Sequence, residues 1–307
     1  MKVLVLSLLA MAAPAAARPP ATPLTVPFGA RVMVFAPHPD DETVGVGGLL
    51  HRLARERIPV HVVFMTNGDG YQHAVEVEID HARPTRDDYL ALGLLRQREA
   101  LRALARVGLS KRDASFLGFP DGGLEQLWHD HWLRQHPYTS PYTQEDSPPY
   151  PHAVARDVEY DGEDLLSVVE RVLRDFRPTL VVMPHPFDRH ADHVHTGYFV
   201  TEAVTNLEGT GALPRGVGFL SYLVHFPSWP ATPLAPFDRQ LTMDEVPETH
   251  WAEVDLTPEE LAAKRAALAR YASQLEVMDG FLRHFLCRNE LFGDVSKATL
   301  AHIASIH

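Results

Sequence analysis

The stretch Arg31–Ala36 (RVMVFA) is short and almost wholly apolar. Such a run is typical of a strand that is buried on both faces of a parallel sheet. A helix-like stretch at residues 43–56 follows it, and a second apolar run, Val60–Thr66 (VHVVFMT), comes next. A strand, a helix and a second strand in this order form a βαβ unit, which closes almost always with a right-handed crossover. These residues therefore predict a parallel α/β sheet.

The same alternation of strands and helices continues along the chain. Apolar periodicity predicts further helices at 88–107, 162–176 and 258–276 and further strands at 114–118 and 179–184. We therefore expect a Rossmann-like three-layer α/β/α sandwich with a mainly parallel sheet. Residues 31–307 are expected to form one domain, and the Pro-rich residues 18–30 are expected to be a connecting arm before it.

Residues 124–160 break this alternation. They contain four prolines between positions 137 and 149 and little apolar periodicity. So long a connection in a compact domain is usually a functional loop, so we expect a lid-like insertion that overhangs the active site. A disordered insertion is the alternative, but disordered segments are poor in aromatic residues and this one is not. The aromatic residues are Trp128, Trp132, Tyr138, Tyr142 and Tyr150.

The N-terminus and the composition bear on location and partners. Residues 1–17 combine a lysine, an apolar run and small residues at the end, which predicts a secretory signal peptide and export to the periplasm or the medium. An N-terminal core strand is the alternative. The apolar run is too short for a transmembrane anchor. A formal net charge of −12 argues against binding to nucleic acid. The single cysteine excludes an intramolecular disulfide.

A cluster of polar residues, His38-Pro39-Asp40-Asp41-Glu42, follows the first predicted strand almost directly. In an open α/β sheet this position is the carboxyl edge, where ligands bind. Asp and Glu in the first turn of a helix are also ordinary helix-start residues, so this cluster alone leaves both interpretations open.

A second cluster, residues 185–193 (HPFDRHADH), follows the predicted strand 179–184. Both clusters are expected at the same edge of the sheet. Imidazole and carboxylate ligands from two such loops can form a three-ligand zinc site with a fourth position for water. Neither cluster contains cysteine, which favours a hydrolytic site over a closed structural one.

Together the runs His-Pro-Asp-Asp-Glu at 38–42 and Asp-Arg-His-Ala-Asp-His at 188–193 resemble the PIG-L/LmbE-like zinc-dependent N-deacetylases. This family removes acetyl groups from N-acetylglucosamine-type sugars. The resemblance covers roughly residues 31–292 and includes further landmarks. These are Arg96-x-x-Glu99, residues 116–122 (FLGFPDG), Lys264, residues 271–274 (YASQ) and residues 289–292 (NELF).

The resemblance implies roles for the matching residues. His38, Asp41 and His193 would bind the metal, and Asp40 would remain uncoordinated as the general base. We expect protonated His190 to stabilise the oxyanion and Asp192 to keep His190 charged. Support of a metal-bound histidine is the alternative for His190 and Asp192.

Two further residues are expected to bind substrate. By the resemblance, Arg96 and Asp121 would contact sugar hydroxyls. A buried ion pair or a turn cap is the alternative for each. Asp188 could face the metal or start a turn, and the turn is the preferred interpretation. His129 and His195 are interpreted as histidines without a role in metal binding, since most of the 18 histidines must be bystanders.

The expected activity is metal-dependent removal of N-acetyl from an N-acetylglucosamine-type sugar in a glycan, glycolipid or glycopeptide. The metal is expected to be Zn²⁺, and the oxygen and nitrogen ligands also suit Fe²⁺ or another divalent ion. Metal-assisted phosphoester hydrolysis and non-catalytic glycan binding are the rival functions. The sequence does not indicate an oligomeric state.

Overall fold

The computed structural model describes residues 22–78, 83–154, 156–227, 229, 246, 249–294 and 296. The predicted signal peptide, residues 1–17, and residues 18–21 of the predicted arm lie outside the described residues. None of the described helices combines the length and the apolar character that crossing a membrane requires.

The described part of the chain alternates strands and helices. The strands are β1 (Thr22–Pro23), β2 (Val32–Ala36), β3 (Val60–Thr66), β4 (Ala114–Phe119), β5 (Leu180–Pro184), β6 (Gly218–Tyr222), β7 (His250–Asp255) and β8 (Asn289–Asp294). The α-helices are α1 (Asp41–Arg55), α2 (Gln72–Glu78), α3 (Arg86–Val107), α4 (Leu124–His129), α5 (Gly162–Phe176), α6 (Ala191–Gly209), α7 (Pro258–Leu268) and α8 (Ala272–Arg283).

The strands form one sheet in the order β1-β7-β8-β6-β5-β2-β3-β4. β8 runs antiparallel to β6 and β7, and the other neighbouring pairs are parallel. β2 lies between β3 and β5, so Val34 is opposite both Val62 and Val182. The chain order reverses between β2 and β5, and ligands bind at such a switch point in open α/β sheets.

Helices cover both faces of the sheet because the side chains of β2 alternate between two cores. Val32, Val34 and Ala36 pack in a cluster with residues of α1, α3, α7 and α8. Met33 and Phe35 pack on the other face with residues of α4, α5 and α6. All five residues of β2 are fully buried. The predicted three-layer sandwich is therefore confirmed.

Three predicted segments differ from the structure. Helix α1 begins at Asp41 rather than at residue 43, so Asp41 and Glu42 lie in its first turn. The predicted helix 258–276 is two helices, because Tyr271 adopts a non-helical conformation and its buried hydroxyl donates to Glu42. Within the predicted arm, Thr22 and Pro23 pair with β7.

The segment 124–160 is not the structureless connection that its sequence predicts. It opens with α4, and Tyr150 and Tyr160 are each only 1% exposed. The Tyr160 hydroxyl donates to the Gly118 carbonyl at 2.8 Å, and Ala153 forms an isolated bridge with Phe116 of β4. The buried tyrosines therefore hold this segment against the sheet. Its path is defined for this reason, although it lacks helical periodicity.

Gly45 in α1 permits a close approach between the helix and the sheet. A Cβ at this position would lie 2.4 Å from the ring of Tyr222, whose hydroxyl donates to the Phe35 carbonyl at 2.9 Å. We expect Gly45→Ala to lower the free energy of unfolding by about 1–3 kcal/mol because it overpacks this contact. Denaturant unfolding measures the change.

Gly280 in α8 provides the matched control. It is exposed, and nothing lies within 4 Å of a Cβ built there. Gly280→Ala should raise the free energy of unfolding by up to about 1 kcal/mol, because alanine favours a helix interior over glycine. Equal effects of the two substitutions would show that the contact with Tyr222 is not what requires Gly45.

Candidate metal centre

The two polar clusters meet at the carboxyl edge of β2 and β5. His38 follows β2, Asp41 begins α1, and His193 lies in the first turn of α6 after β5. Their potential ligand atoms all lie within 4.8 Å of one another. The three side chains are buried, and His193 is fully so. Because β2 and β5 are neighbours in the sheet, residues more than 150 positions apart reach one point.

The distances at this point suit a small cation. Asp41 Oδ2 lies 3.2 Å from His38 Nδ1 and 3.2 Å from His193 Nε2. Ligands about 2.0–2.1 Å from a tetrahedral zinc ion are themselves about 3.3 Å apart. Neither ring nitrogen of His193 has a hydrogen-bond partner of acceptable geometry among the described residues. These three side chains therefore fit a divalent metal ion.

The electrostatics of His193 support the same conclusion. Burial disfavours a charged imidazole, yet the carboxylates of Asp188 and Asp41 raise the pKa of His193 to about 10. The carboxylates therefore outweigh the cost of burying a positive charge at this position. The same carboxylates would also stabilise a bound divalent cation.

Asp40 stands beside this centre in an unusual backbone conformation. Its φ of 129° is strained for a residue other than glycine, and such strain is typical of functional sites. Burial raises the pKa of Asp40 to about 8; Arg96 opposes the increase, and Asp41 adds to it. The carboxyl group lines a cavity and is not one of the three grouped ligands. A carboxyl group with this pKa can exchange a proton near neutral pH.

Arg96 contacts protein groups in the structure, in line with the ion-pair alternative. Its Nη2 donates to Asp40 Oδ2 at 3.1 Å and to the Pro39 carbonyl at 2.7 Å, and its Nη1 donates to the Gly68 carbonyl at 2.8 Å. The residue is only 3% exposed, although it also lines the cavity. Arg96 therefore positions Asp40, and the sequence could not show this pairing because 56 residues separate the two.

The contacts of Asp192 differ from those expected of a residue whose role is to hold His190 in the charged form. Its Oδ2 accepts the N–H of Gly122 at 2.7 Å and lies 3.1 Å from His38 Nε2, and its Oδ1 accepts the N–H of Leu124. The carboxylate thus makes its direct contact with His38; its charge also favours protonated His190, but burial and the neighbouring imidazoles outweigh it in the pKa of His190. A carboxylate on the outer nitrogen of a metal-binding imidazole orients the ring.

His190 faces the cavity, but its surroundings do not favour a charged ring. Its Nδ1 accepts the N–H of Asp192 at 3.3 Å. Burial lowers the pKa of His190, and the neighbouring His38 and His193 lower it further. The accepted hydrogen bond places the proton of the neutral ring on Nε2. His190 can therefore donate a hydrogen bond into the cavity without a second proton.

Asp188 is a site residue that the sequence interpretation missed. Its Oδ1 accepts the N–H of His190, as a turn requires, but its Oδ2 lies 3.3 Å from His193 Nδ1. Oδ2 also accepts the N–H of Val224 and of His225, both at 3.0 Å. These contacts fix the ring of His193 with Nε2 toward Asp41. The only signal in the sequence was its place in the second cluster.

A cavity of about 280 Å³ opens beside the centre. Asp121 is part of its polar lining: Asp121 Oδ1 lies 3.1 Å from His38 Nε2, and Asp121 Oδ2 accepts the N–H of Gly70 at 2.7 Å. Tyr142 from the segment 124–160 also lines the cavity. The apolar part of the lining was not predicted from the sequence. It consists of Val224, Met278, Phe281 and Leu282.

Comparison with known proteins identifies the family. Residues 33–204, more than half of the chain, match the family model described as PIG-L: GlcNAc-PI de-N-acetylase. This chain belongs to the PIG-L family. All three grouped ligands, together with Asp40, lie inside the matched residues.

Individual relatives of this PIG-L family member act on acetylated amino sugars. The chain is 29% identical over 271 residues to a 1D-myo-inositol 2-acetamido-2-deoxy-alpha-D-glucopyranoside deacetylase from Corynebacterium urealyticum, covering 81% of this chain and 72% of the relative. It is 27% identical over 178 residues to a diacetylchitobiose deacetylase from Thermococcus kodakarensis, covering 57% of this chain and 49% of the relative. Its fold is similar to that of a deacetylase of the teicoplanin biosynthesis pathway, with a TM-score of 0.53, 17% identity and coverage of 86% and 96%.

The contact between Asp188 and His193 gives a prediction for this PIG-L family member. Asp188→Asn is expected to weaken metal binding about 10–100-fold, as loss of a carboxylate behind a metal-bound histidine does elsewhere. Competition with a chelator measures the affinity. Asp87→Asn, at an exposed side chain in α3, is the control. An unchanged affinity in Asp188→Asn would show that this carboxylate does not support the centre.

Proposed function

We propose that this chain is a metal-dependent N-deacetylase that releases acetate from an N-acetylglucosamine-type sugar. The observation that carries the proposal is the position of Asp40. It lies next to a buried group of three potential ligands, faces the cavity and is held by Arg96. A protein that only binds glycans has no use for a strained, buried carboxyl group at this position.

The proposed metal is Zn²⁺, and Fe²⁺ also suits two imidazoles and a carboxylate. A divalent ion held by His38, Asp41 and His193 would polarise the amide carbonyl and activate a water molecule for attack. Asp192 and Asp188 would keep the two imidazoles in position from behind, through the contacts at 3.1 and 3.3 Å.

The protein residues divide the proton transfers. Asp40 accepts a proton from the attacking water and passes it to the amine nitrogen as the carbon–nitrogen bond breaks. His190 donates through Nε2 to the oxygen that gains negative charge during the attack. Arg96 keeps the Asp40 carboxyl group in place through the cycle. The products are acetate and the free amino sugar.

The cavity suits an amino sugar because its lining is partly polar and partly apolar. A hexosamine ring presents hydroxyl groups and an apolar face of C–H groups. Asp121 and Tyr142 offer polar contacts, while Phe281 and Leu282 offer an apolar surface. Among the described residues that line this cavity, Arg96 is the only arginine or lysine, and it is bonded to Asp40. The described lining therefore offers no free cationic side chain of the kind that commonly holds a phosphoryl group.

The proposal is tested by an acceptor screen. Purified protein with zinc is incubated with N-acetylglucosaminyl inositol, diacetylchitobiose and an N-acetylglucosaminyl glycopeptide, and released acetate is measured. We expect acetate from at least one acceptor. Cleavage of an aryl phosphate without acetate from any acceptor would instead support phosphoester hydrolysis.

A further inference from the structure

A second cavity, of about 610 Å³, lies beside the first turn of α6. It shares no lining residue with the cavity that contains Asp40. Three of its lining residues form a group that could hold a metal ion, namely Glu125 and His129 of α4 and His195 of α6. Their ligand atoms all lie within 4.8 Å of one another. The sequence interpretation gave His129 and His195 no role in metal binding, and α4, which brings His129 to this place, was not predicted.

The spacing of these residues explains how they converge. Glu125 and His129 are four residues apart in α4, so they project from the same face of the helix. His195 comes from α6, which packs against α4. Its Nε2 lies 3.4 Å from Nε2 of His129. This distance exceeds the usual range for a hydrogen bond, and it is close to the separation of about 3.3 Å between two nitrogens on one tetrahedral ion.

The hydrogen bond of His195 is of the kind that orients metal-binding histidines. Its Nδ1 lies 2.8 Å from the Ala191 carbonyl, so Nδ1 carries the proton and donates it there. The lone pair of Nε2 is then directed at His129. Metal-bound imidazoles commonly donate their other N–H to a backbone carbonyl in this way.

A separate observation in the same cavity points to a missing ligand. Tyr198 is only 2% exposed and lines the cavity, and its ring centroid is 5.2 Å from that of His195. Its hydroxyl group has no hydrogen-bond partner among the described residues. Buried hydroxyl groups are nearly always bonded. Water on a cation at this site would satisfy the hydroxyl group.

We propose that Glu125, His129 and His195 form a second divalent metal site. Two imidazoles and one carboxylate suit Zn²⁺ and similar ions rather than Mg²⁺ or Ca²⁺, which prefer oxygen ligands. Glu125 and His129 are exposed, so an ion enters from solvent. Arg189 also lines the cavity, and its guanidinium lies over the ring of Phe226 at 5.9 Å.

The second site joins the same two helices that Asp192 joins. The carboxylate of Asp192, on α6, accepts the N–H of Gly122 and of Leu124 at the start of α4. An ion bound by Glu125, His129 and His195 would link the same two helices at a second point. This link would stabilise Asp121 and Gly122, which line the first cavity just before α4 begins.

Metal stoichiometry tests the site. The full chain, freed of metal and without an affinity tag, is dialysed against Zn²⁺ and its metal content measured. We expect two equivalents in the wild type, one in His129→Ala and one in His193→Ala. His136→Ala, at an exposed histidine near α4, is the control and should retain two. Glu125→Gln should weaken the second equivalent without affecting the first.

Thermal unfolding provides a second measurement. The second equivalent should raise the Tm of the wild type but not that of His129→Ala, since an ion that binds only the folded state stabilises it. One equivalent in the wild type that is retained in His129→Ala, or two equivalents in both proteins, would overturn the proposal. A single equivalent that is lost in His129→Ala and retained in His193→Ala would support this site and refute the centre at His38, Asp41 and His193.

Discussion

Asp40→Asn is expected to reduce kcat for acetate release by about 10²–10⁴-fold, the contribution typical of a general base. Asparagine has nearly the same shape and can still accept the hydrogen bond from Arg96 Nη2. It cannot take a proton from water. Metal content should stay at the wild-type value, because Asp40 is not among the grouped ligands. Steady-state kinetics and metal analysis on the same preparation measure both quantities.

The control for this substitution is Asp175→Asn, at an exposed position in α5, which should leave kcat and metal content unchanged. Asp40→Asn with near wild-type turnover would show that another group accepts the proton. Loss of metal in Asp40→Asn would place Asp40 among the ligands instead.

His193→Ala is expected to remove both the metal ion at this centre and the release of acetate. The side chain is fully buried, and its Nε2 lies 3.2 Å from Asp41 Oδ2. Removal leaves two ligands, and it takes an imidazole neighbour away from two buried carboxylates, Asp41 and Asp188. We expect one equivalent of metal fewer than in the wild type and acetate release at the background rate. Metal analysis and acetate measurement on the same sample check both.

His225→Ala is the matched control, because the ring of His225 lies 4.9 Å from that of His193 but is not in the ligand group. It should retain the metal. If the alanine variant fails to fold, His193→Gln provides the test, because glutamine preserves polarity and much of the volume. It should also lose the metal. Retention of full metal content in both His193 variants would show that His193 is not a ligand.

The sequence predicts the layered fold because the strands that form its centre are continuous apolar runs. β3 and α5 have the bounds that periodicity predicts, and β2 differs by one residue. The edge of the sheet was not predicted. β7 and β8 carry charged residues along their length, and β7 is largely half-buried or exposed, so neither resembles a buried parallel strand.

The sequence also brings the two clusters to one edge, since the carboxyl ends of parallel strands lie at the same edge of a sheet. What it cannot give is which carboxylate faces which imidazole. Asp188 could start a turn or orient His193, and in the structure it does both. The pairing of Arg96 with Asp40 depends on how α3 packs against α1. Such contacts depend on side-chain packing across many residues, and no local pattern encodes them.

The measurement that tests metal-dependent deacetylation most directly is a zinc titration of metal-free protein with N-acetylglucosaminyl acceptors present. Acetate release should be at background in the metal-free protein. It should rise as the centre at His38, Asp41 and His193 is occupied, and it should rise in parallel in His129→Ala but not in His193→Ala. Full acetate release from metal-free protein, or none from any acceptor at any zinc concentration, would contradict the proposed function.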